Sequence, residues 1–210
     1  MKEKDWSNYQ NNTLNDKVEN LLIEFLNNYN NINDIVDLGC GAGNESVYLL
    51  KRGYKVTSID RQLNKNYILD RLTDKEKNNV SFIESDFKNL VIPKTDCVMA
   101  MFSIPFCNPL YFDKLWNQIY DSINEDGYFV GQLFGNRDAW NETNWVNTFS
   151  KDKVIKKLSK YEILLLDEIE YVRETDNKKW HYFNIIAKKN KNWCVLWPVT
   201  SKGICFLASI

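Results

Sequence analysis

The stretch "IVDLGCGAGNE", Ile35 to Glu45, sets three glycines within five residues between an apolar, strand-like run and a helical one. Few features restrict a fold more. The chain must leave a strand, turn through backbone angles that side chains resist, and begin a helix within a few residues. Two readings fit: a tight turn, or a ligand resting on bare backbone.

The flanks supply the context. Val18, Leu21, Leu22, Phe25 and Leu26 recur at helical spacing, which predicts an amphipathic helix over Asp16 to Asn28. A strand follows at Asp34 to Leu38, a helix at Glu45 to Lys51 and, after Gly53, a second strand "YKVTSID" ending on Asp60. Together they make a βαβ unit. Downstream, "NVSFIESD" and the longer "TDCVMAMFSI" are expected strands, and "YFDKLWNQIYDSI" is an expected helix. Asp126-Gly127 is expected to turn the chain into the strand "YFVGQLF". A short helix over Lys153 to Ser159 and the strand pair "YEILLLDEIEYV" and "KWHYFNIIAKK", divided by "RETDNK", complete the alternation. This order predicts an α/β chain with a mostly parallel sheet, helices on both faces, and a ligand site beyond the carboxyl ends of the strands.

The glycine turn sits at such an end, but its spacing is G-x-G-x-G preceded by Asp37, where a dinucleotide turn has G-x-G-x-x-G. A carboxylate two residues before the first glycine repels a pyrophosphate and attracts an ammonium group. The expected ligand is therefore cationic. Composition narrows the partners: a formal charge of -1 over 210 residues gives no field that draws nucleic acid or anionic lipid. Five widely spaced cysteines without a C-x-x-C pair suggest reduced thiols in a cytoplasm, with no disulfide framework and no metal site. The start "MKEKDWSNYQNN" lacks the apolar stretch of a secretion signal. The organisation expected is an N-terminal lid and helix over 1–33, a main domain over 34–190, and an apolar tail over 191–210. Pro198 and Lys202-Gly203 interrupt that tail, so no membrane anchor is expected and its role stays open. No oligomeric state is assigned.

"VDLGCGAGN", with "VTSID" and then "IESDF" downstream, resembles the class I S-adenosylmethionine-dependent methyltransferases over roughly Asp34 to Lys189. The resemblance implies a three-layer Rossmann-like fold whose mostly parallel, seven-stranded sheet has an antiparallel last strand. It also implies S-adenosyl-L-methionine as cofactor. Gly39, Cys40, Gly41 and Gly43 would carry its methionine and ribose parts, Asp37 its amino group and Asp60 the ribose hydroxyls. Asp86 and the backbone at Phe87 would meet the adenine, and Arg61 and Phe102 complete the implied cofactor set.

The acceptor side has weaker signals. "SIPF", Ser103 to Phe106, partly resembles the Asn/Asp/Ser-Pro-Pro-aromatic motif of amino-group methyltransferases, with Ile104 in place of the first proline. "QLFGNRDAWNETNW", with Phe134, Arg137 and Trp140, has the composition of a pocket rim, although the same aromatics could pack on the core. "KKWHYF" holds the only histidine, His181, whose alternative reading is structural. These stretches are similar to a bacterial small-molecule subgroup related to the tellurite-resistance and thiopurine enzymes, which implies a small-molecule acceptor and, with Trp6 and Tyr9 in "DWSNYQ", a covering segment. Cys107 is read as a core or rim residue, since no base is identifiable near it. The alternatives are a methyltransferase acting on RNA, DNA or protein, and a binding module that no longer turns over. No catalytic residue is assigned.

Overall fold

A computed structural model describes residues 6–190. The N-terminal residues up to 5 and the apolar tail over 191–210 lie outside that range. Two helices come first, α1 (Ser7–Thr13) and α2 (Asn20–Asn28). Then follow β1 (Asp34–Leu38), α3 (Asn44–Leu50) and β2 (Lys55–Asp60). Two single-turn helices, α4 (Asn66–Leu69) and α5 (Asp74–Lys77), precede β3 (Val80–Glu84) and β4 (Thr95–Ala100). The remaining elements are α6 (Phe112–Ser122), β5 (Ile123–Gly135), β6 (Thr148–Phe149), α7 (Lys151–Lys157), β7 (Tyr161–Arg173) and β8 (Lys178–Lys189).

The strands form one eight-stranded sheet in the order β3-β2-β1-β4-β5-β8-β7, with the two-residue β6 pairing β5 alongside. All neighbours are parallel except β8, which runs antiparallel to both β5 and β7. The strand order turns back at β1, between β2 and β4, and such a reversal opens a crevice at the carboxyl ends of the strands. Each face carries its own core. Val36, Leu38, Ile59, Val98, Phe129 and Phe183 pack under Leu115 and Ile119 of α6 and Val154 of α7. Ile35, Val56, Met99, Val130 and Ile186 pack under Leu21, Leu22 and Phe25 of α2 and Val47 and Leu50 of α3. The sheet is thus covered on both sides, as near-continuous apolar runs such as Cys97 to Ala100 require.

Several boundaries differ from the sequence expectation. The first amphipathic helix starts at Asn20 rather than Asp16, because Glu19 is extended (φ -61°, ψ 134°) and gives its N–H to the Glu45 carboxylate at 3.2 Å. The expected strand over Thr95 to Ile104 stops at Ala100, since Phe102 turns out of the sheet with φ +49°. Asp126-Gly127 does not precede β5 but lies within it. Asp126 has φ +62°, and the register against β4 slips between Thr95 and Cys97, so the pair makes an irregularity inside the strand. A two-residue β6 adds an eighth strand to the seven expected, and it uses the part of β5 that extends past the end of β4.

Candidate active site

The three glycines have positive φ (78°, 53° and 72°), but they answer different constraints. A Cβ at Gly39 would fall 2.4 Å from Ser103 Cβ, and one at Gly43 would fall 2.3 Å from Ile68. Both are packing glycines. A Cβ at Gly41 would meet nothing within 4 Å, so here the bare backbone faces open space. The turn is strung between neighbouring strands: Gly39 and Cys40 donate to the Ile59 carbonyl at 2.7 and 2.9 Å, and Gly43 donates to Cys40 at 2.7 Å.

Asp60, at the end of β2, accepts from the Gly41 N–H at 3.0 Å and from the Gln62 N–H at 2.9 Å. It thereby ties the open glycine to the next strand's exit. Beyond it lies a cleft of about 450 Å³ lined by Arg61, Gln62, Glu84, Ser85, Asp86 and Asn89. Asp86 lines that cleft while its Oδ1 accepts from the Asn89 N–H at 2.9 Å, so the same carboxyl also closes a turn. Phe87 is half-buried, 3.7 Å from where a Gly39 Cβ would stand.

Asp37 points inward. It is 3% exposed, and its Oδ2 accepts from Ser46 Oγ at 2.6 Å, with Ser58 Oγ 2.7 Å further along the chain of hydroxyls. Burial first, then the nearby Glu45, pushes its carboxyl up to about 8. The Glu45 and Glu19 carboxyls are raised mainly by burial as well. The Cys40 thiol is buried and pushed well above its ordinary value by burial. The wall beside the turn therefore gathers three acidic groups whose charged forms are disfavoured by burial, a penalty that a cation beside them would offset.

The helix α1 lies across this edge. Trp6 N–H donates to Gln62 Oε1 at 2.7 Å, Gln10 Nε2 donates to the Gln62 carbonyl at 3.0 Å, and Asn44 Nδ2 donates to the Thr13 carbonyl at 2.7 Å. The Arg61 guanidinium stands 5.9 Å from the centre of the Trp6 ring, and Tyr9 is exposed. Arg71 braces the turn from the far side, donating to Asn44 Oδ1 at 2.7 Å and to the Ala42 carbonyl.

The aromatic residues gather at the same edge, next to the glycine turn. Phe106 has Trp6 at 5.0 Å, Phe134 at 5.7 Å, Trp140 at 5.6 Å and Trp145 at 5.9 Å between ring centroids. Phe102 stacks on Phe134 at 5.7 Å and meets Tyr182 edge-on at 5.0 Å and Trp180 at 6.0 Å. Its left-handed backbone is held by the Gln132 Oε1, which accepts the Phe102 N–H at 3.2 Å. Phe102, given above to the cofactor, thus has its ring among these aromatics. Phe134 belongs to β5 and is 1% exposed, so the rim loop begins after it rather than before.

Three residues expected on the acceptor side have other commitments. Ser103 donates its hydroxyl to the Leu38 carbonyl and packs on the turn. Arg137 turns its guanidinium to Glu168 and Glu170, 2.8 Å from each. His181 is fully buried on the opposite face, against Phe183. The residues missing from the sequence reading are Trp180, Tyr182, Gln132, Gln62 and Arg71. Strand alternation in "KWHYF" separates Trp180 and Tyr182 from His181, and that period of two was the available signal.

A methyltransferase-domain family matches residues 35–127. Carboxy-S-adenosyl-L-methionine synthase of Nautilia profundicola is 31% identical over 115 residues, covering 53% of this chain and 49% of that protein. The "Probable S-adenosyl-L-methionine-dependent methyltransferase TehB" of Haemophilus influenzae is 30% identical over 95 residues, 45% of this chain and 33% of that protein. The chain thus spans half or less of the length of these two relatives. Among solved structures, TehB from Haemophilus influenzae superposes with a TM-score of 0.70 at 21% identity, over 88% of this chain and 66% of that one. The 1,6-didemethyltoxoflavin-N1-methyltransferase of Burkholderia thailandensis, solved with 1,6-didemethyltoxoflavin and S-adenosylhomocysteine, gives 0.68 at 16% identity over 88% and 84%. The matched segment runs from β1 and the glycine turn into β5, and the strand order with its reversed β8 gives this chain the fold of these solved methyltransferases.

Proposed function

We propose that the chain binds S-adenosylmethionine across the glycine turn and transfers its methyl group to a small-molecule acceptor seated against the aromatic cluster. The observation that carries this reading is Gly41, whose backbone faces open space beside Asp60 and a cleft of about 450 Å³. The residues fit the cofactor's chemistry. Buried carboxyls next to the turn suit its ammonium group and sulfonium, the Arg61 to Asn89 cleft has room for a nucleoside, and ring faces stabilise a cation. When bound, the cofactor supplies a methyl group on positively charged sulfur.

The chain's own residues then have three tasks. Asp60 and Arg71 hold the turn in shape, α1 covers it through Gln62, and the rings of Phe102, Phe106, Phe134 and Trp140 exclude water and orient a flat acceptor. Alignment and dryness can provide most of the acceleration when the donor is already reactive. The match to the toxoflavin enzyme, which was solved with a small heterocycle, supports such an acceptor. The same proposal puts the protein in a cytoplasm; among the described residues, no helix is long and apolar enough to cross a membrane.

Calorimetry with S-adenosylhomocysteine tests the first half: binding is expected, and Asp60→Ala should weaken it by roughly 1.5 to 3 kcal/mol, the scale of a charged hydrogen bond. No binding at millimolar protein would end the proposal. Methyl-labelled cofactor incubated with RNA, DNA and a low-mass metabolite extract tests the second half. Label in a polymer, with the steep salt dependence of phosphate contacts, would replace the small-molecule reading.

A further inference from the structure

His181 has its hydrogen-bonding capacity used within the protein, at the point where β5 leaves the sheet. Its backbone N–H donates to Asp138 Oδ2 at 2.8 Å, and Asp138 Oδ1 accepts from the Trp140 N–H at 2.9 Å. The ring Nδ1 accepts from the Arg137 N–H at 3.0 Å, which places the ring proton on Nε2, 3.0 Å from Glu168 Oε1. Glu168 also takes the Arg137 guanidinium at 2.8 Å, so the backbone and the side chain of Arg137 close a loop of contacts around one imidazole. The ring fits only because residue 135 is glycine: a Cβ there would stand 2.0 Å from Nδ1.

This arrangement fixes one end of a segment, 136–147, whose other end is fixed as well. Asn147 gives its N–H to the Pro105 carbonyl at 2.8 Å and its Nδ2 to the carbonyls of Pro105 and Cys107 at 3.0 and 2.6 Å. Between the anchors, Trp140 and Trp145 lie 5.5 Å apart and both reach Phe106. Asn136 also donates to the Phe149 carbonyl at 2.9 Å and Lys178 stands 4.6 Å from the centre of the Trp140 ring, so the segment is held at both ends and at Trp140.

We infer that His181 is a positioning residue: from the far face of the sheet, and without touching substrate, it sets the loop that brings Trp140 and Trp145 to Phe106. The inference rests on the reading of that aromatic cluster as the acceptor side. It assigns to the lone histidine a role in acceptor affinity rather than in the chemical step.

The test compares His181→Leu, which fills the space without a polar atom, with His181→Asn, whose amide oxygen can take the place of Nδ1, in the full chain. Hydrogen exchange of the Arg137 and Trp140 amides is the direct readout. In His181→Leu the Arg137 amide should exchange roughly ten-fold faster or more, as loss of its buried hydrogen bond implies, the Trp140 amide should follow to a smaller extent as the loop loosens, and His181→Asn should restore Arg137. S-adenosylhomocysteine binding, followed by calorimetry, should be unchanged in both variants. With labelled cofactor and a low-mass extract, His181→Leu should raise the extract concentration giving half-maximal rate more than it lowers the maximal rate, with partial rescue in His181→Asn. Unchanged exchange at Arg137 and Trp140 would overturn the inference, as would a loss confined to the maximal rate that Asn does not rescue. If His181→Leu fails to fold, His181→Gln takes its place, since its amide can reach Glu168 but leaves no acceptor where Nδ1 stood: faster exchange at Arg137 supports the inference, and unchanged exchange there refutes it. Failure of the wild-type chain to bind S-adenosylhomocysteine would sink the methyl-transfer reading, while the exchange arm would still decide whether His181 positions the loop.

Discussion

Gly39, Gly41 and Gly43 share the sign of φ but not a reason for it. Gly39 and Gly43 stand where a Cβ would enter Ser103 or Ile68, while Gly41 has open space. Gly41→Ala should therefore keep the fold, at a cost of about 1 to 2 kcal/mol for a left-handed alanine, and lose affinity for S-adenosylhomocysteine. Gly43→Ala adds a clash to the same strain and should lower the melting temperature further; equal melting of the two variants would contradict this division. Sequence could show that the turn needs glycine, but not which glycine leaves room, because that depends on Ile68 and Ser103, far along the chain from the turn. Asp37 carries a second prediction. Its carboxyl, raised from 3.8 to about 8 by burial, favours the protonated form in the folded state, so folding loses stability as pH rises from about 4 to about 8. The slope is at most about 1.4 kcal/mol per pH unit. Asp37→Asn should flatten that slope and raise stability at pH 8 more than at pH 5, as thermal melts across the range would show. A slope that is the same with and without the substitution would remove Asp37 as its source. The acidic residue before the glycines was legible in the sequence; its burial against Ser46 was not.

At the scale of elements, β1, α3, β2, the hairpin of β7 and β8, and α6 were legible because each is either a short apolar run bounded by turn residues or a periodic one. The single-turn helices α4 and α5 and the two-residue β6 were not, since pieces so short show no period. The Asp126-Gly127 pair misled for a different reason. It has the chemistry of a hairpin turn, but Gly127 is pressed against Asp96, where a Cβ would fall 2.5 Å from the carbonyl oxygen, and the strand continues on both sides. On the candidate site, order along the chain pointed to the glycine turn and Asp60, whereas the proposed acceptor side is assembled from five separate segments and only its members' aromaticity was visible. Gly135→Ala tests how β5, β8 and the Trp140 segment are joined. The added methyl must displace the His181 ring, so a loss of stability of about 1 to 3 kcal/mol is expected, of the size overpacking usually causes. A change in tryptophan fluorescence should accompany it. Unaltered stability and emission would mean that the ring can move aside freely.

Over the whole molecule, the sheet places β8 between β5 and β7, although β8 is the last described strand. A chain made from its N-terminus completes β1 to β5, the glycine turn and the cleft long before residues 178–189 emerge. Until they do, the β8 side of β5 is an unpaired strand edge from Tyr128 to Phe134. Nascent chains of this protein should therefore be most prone to association in the interval between the release of β5 and that of β8, through β5 itself. Ribosome-bound chains stalled near residue 175, with β5 outside the exit tunnel and β8 not yet made, should cross-link through Tyr128 to Phe134, and chains from which residues 178–189 have emerged should not. Equal cross-linking at both lengths would show that the edge is protected by something other than β8. The same vectorial order means that a chain still on the ribosome can form the glycine turn and its cleft before Trp180 and Tyr182 exist to join the aromatic cluster, so on the proposed function specificity is the last property this fold gains.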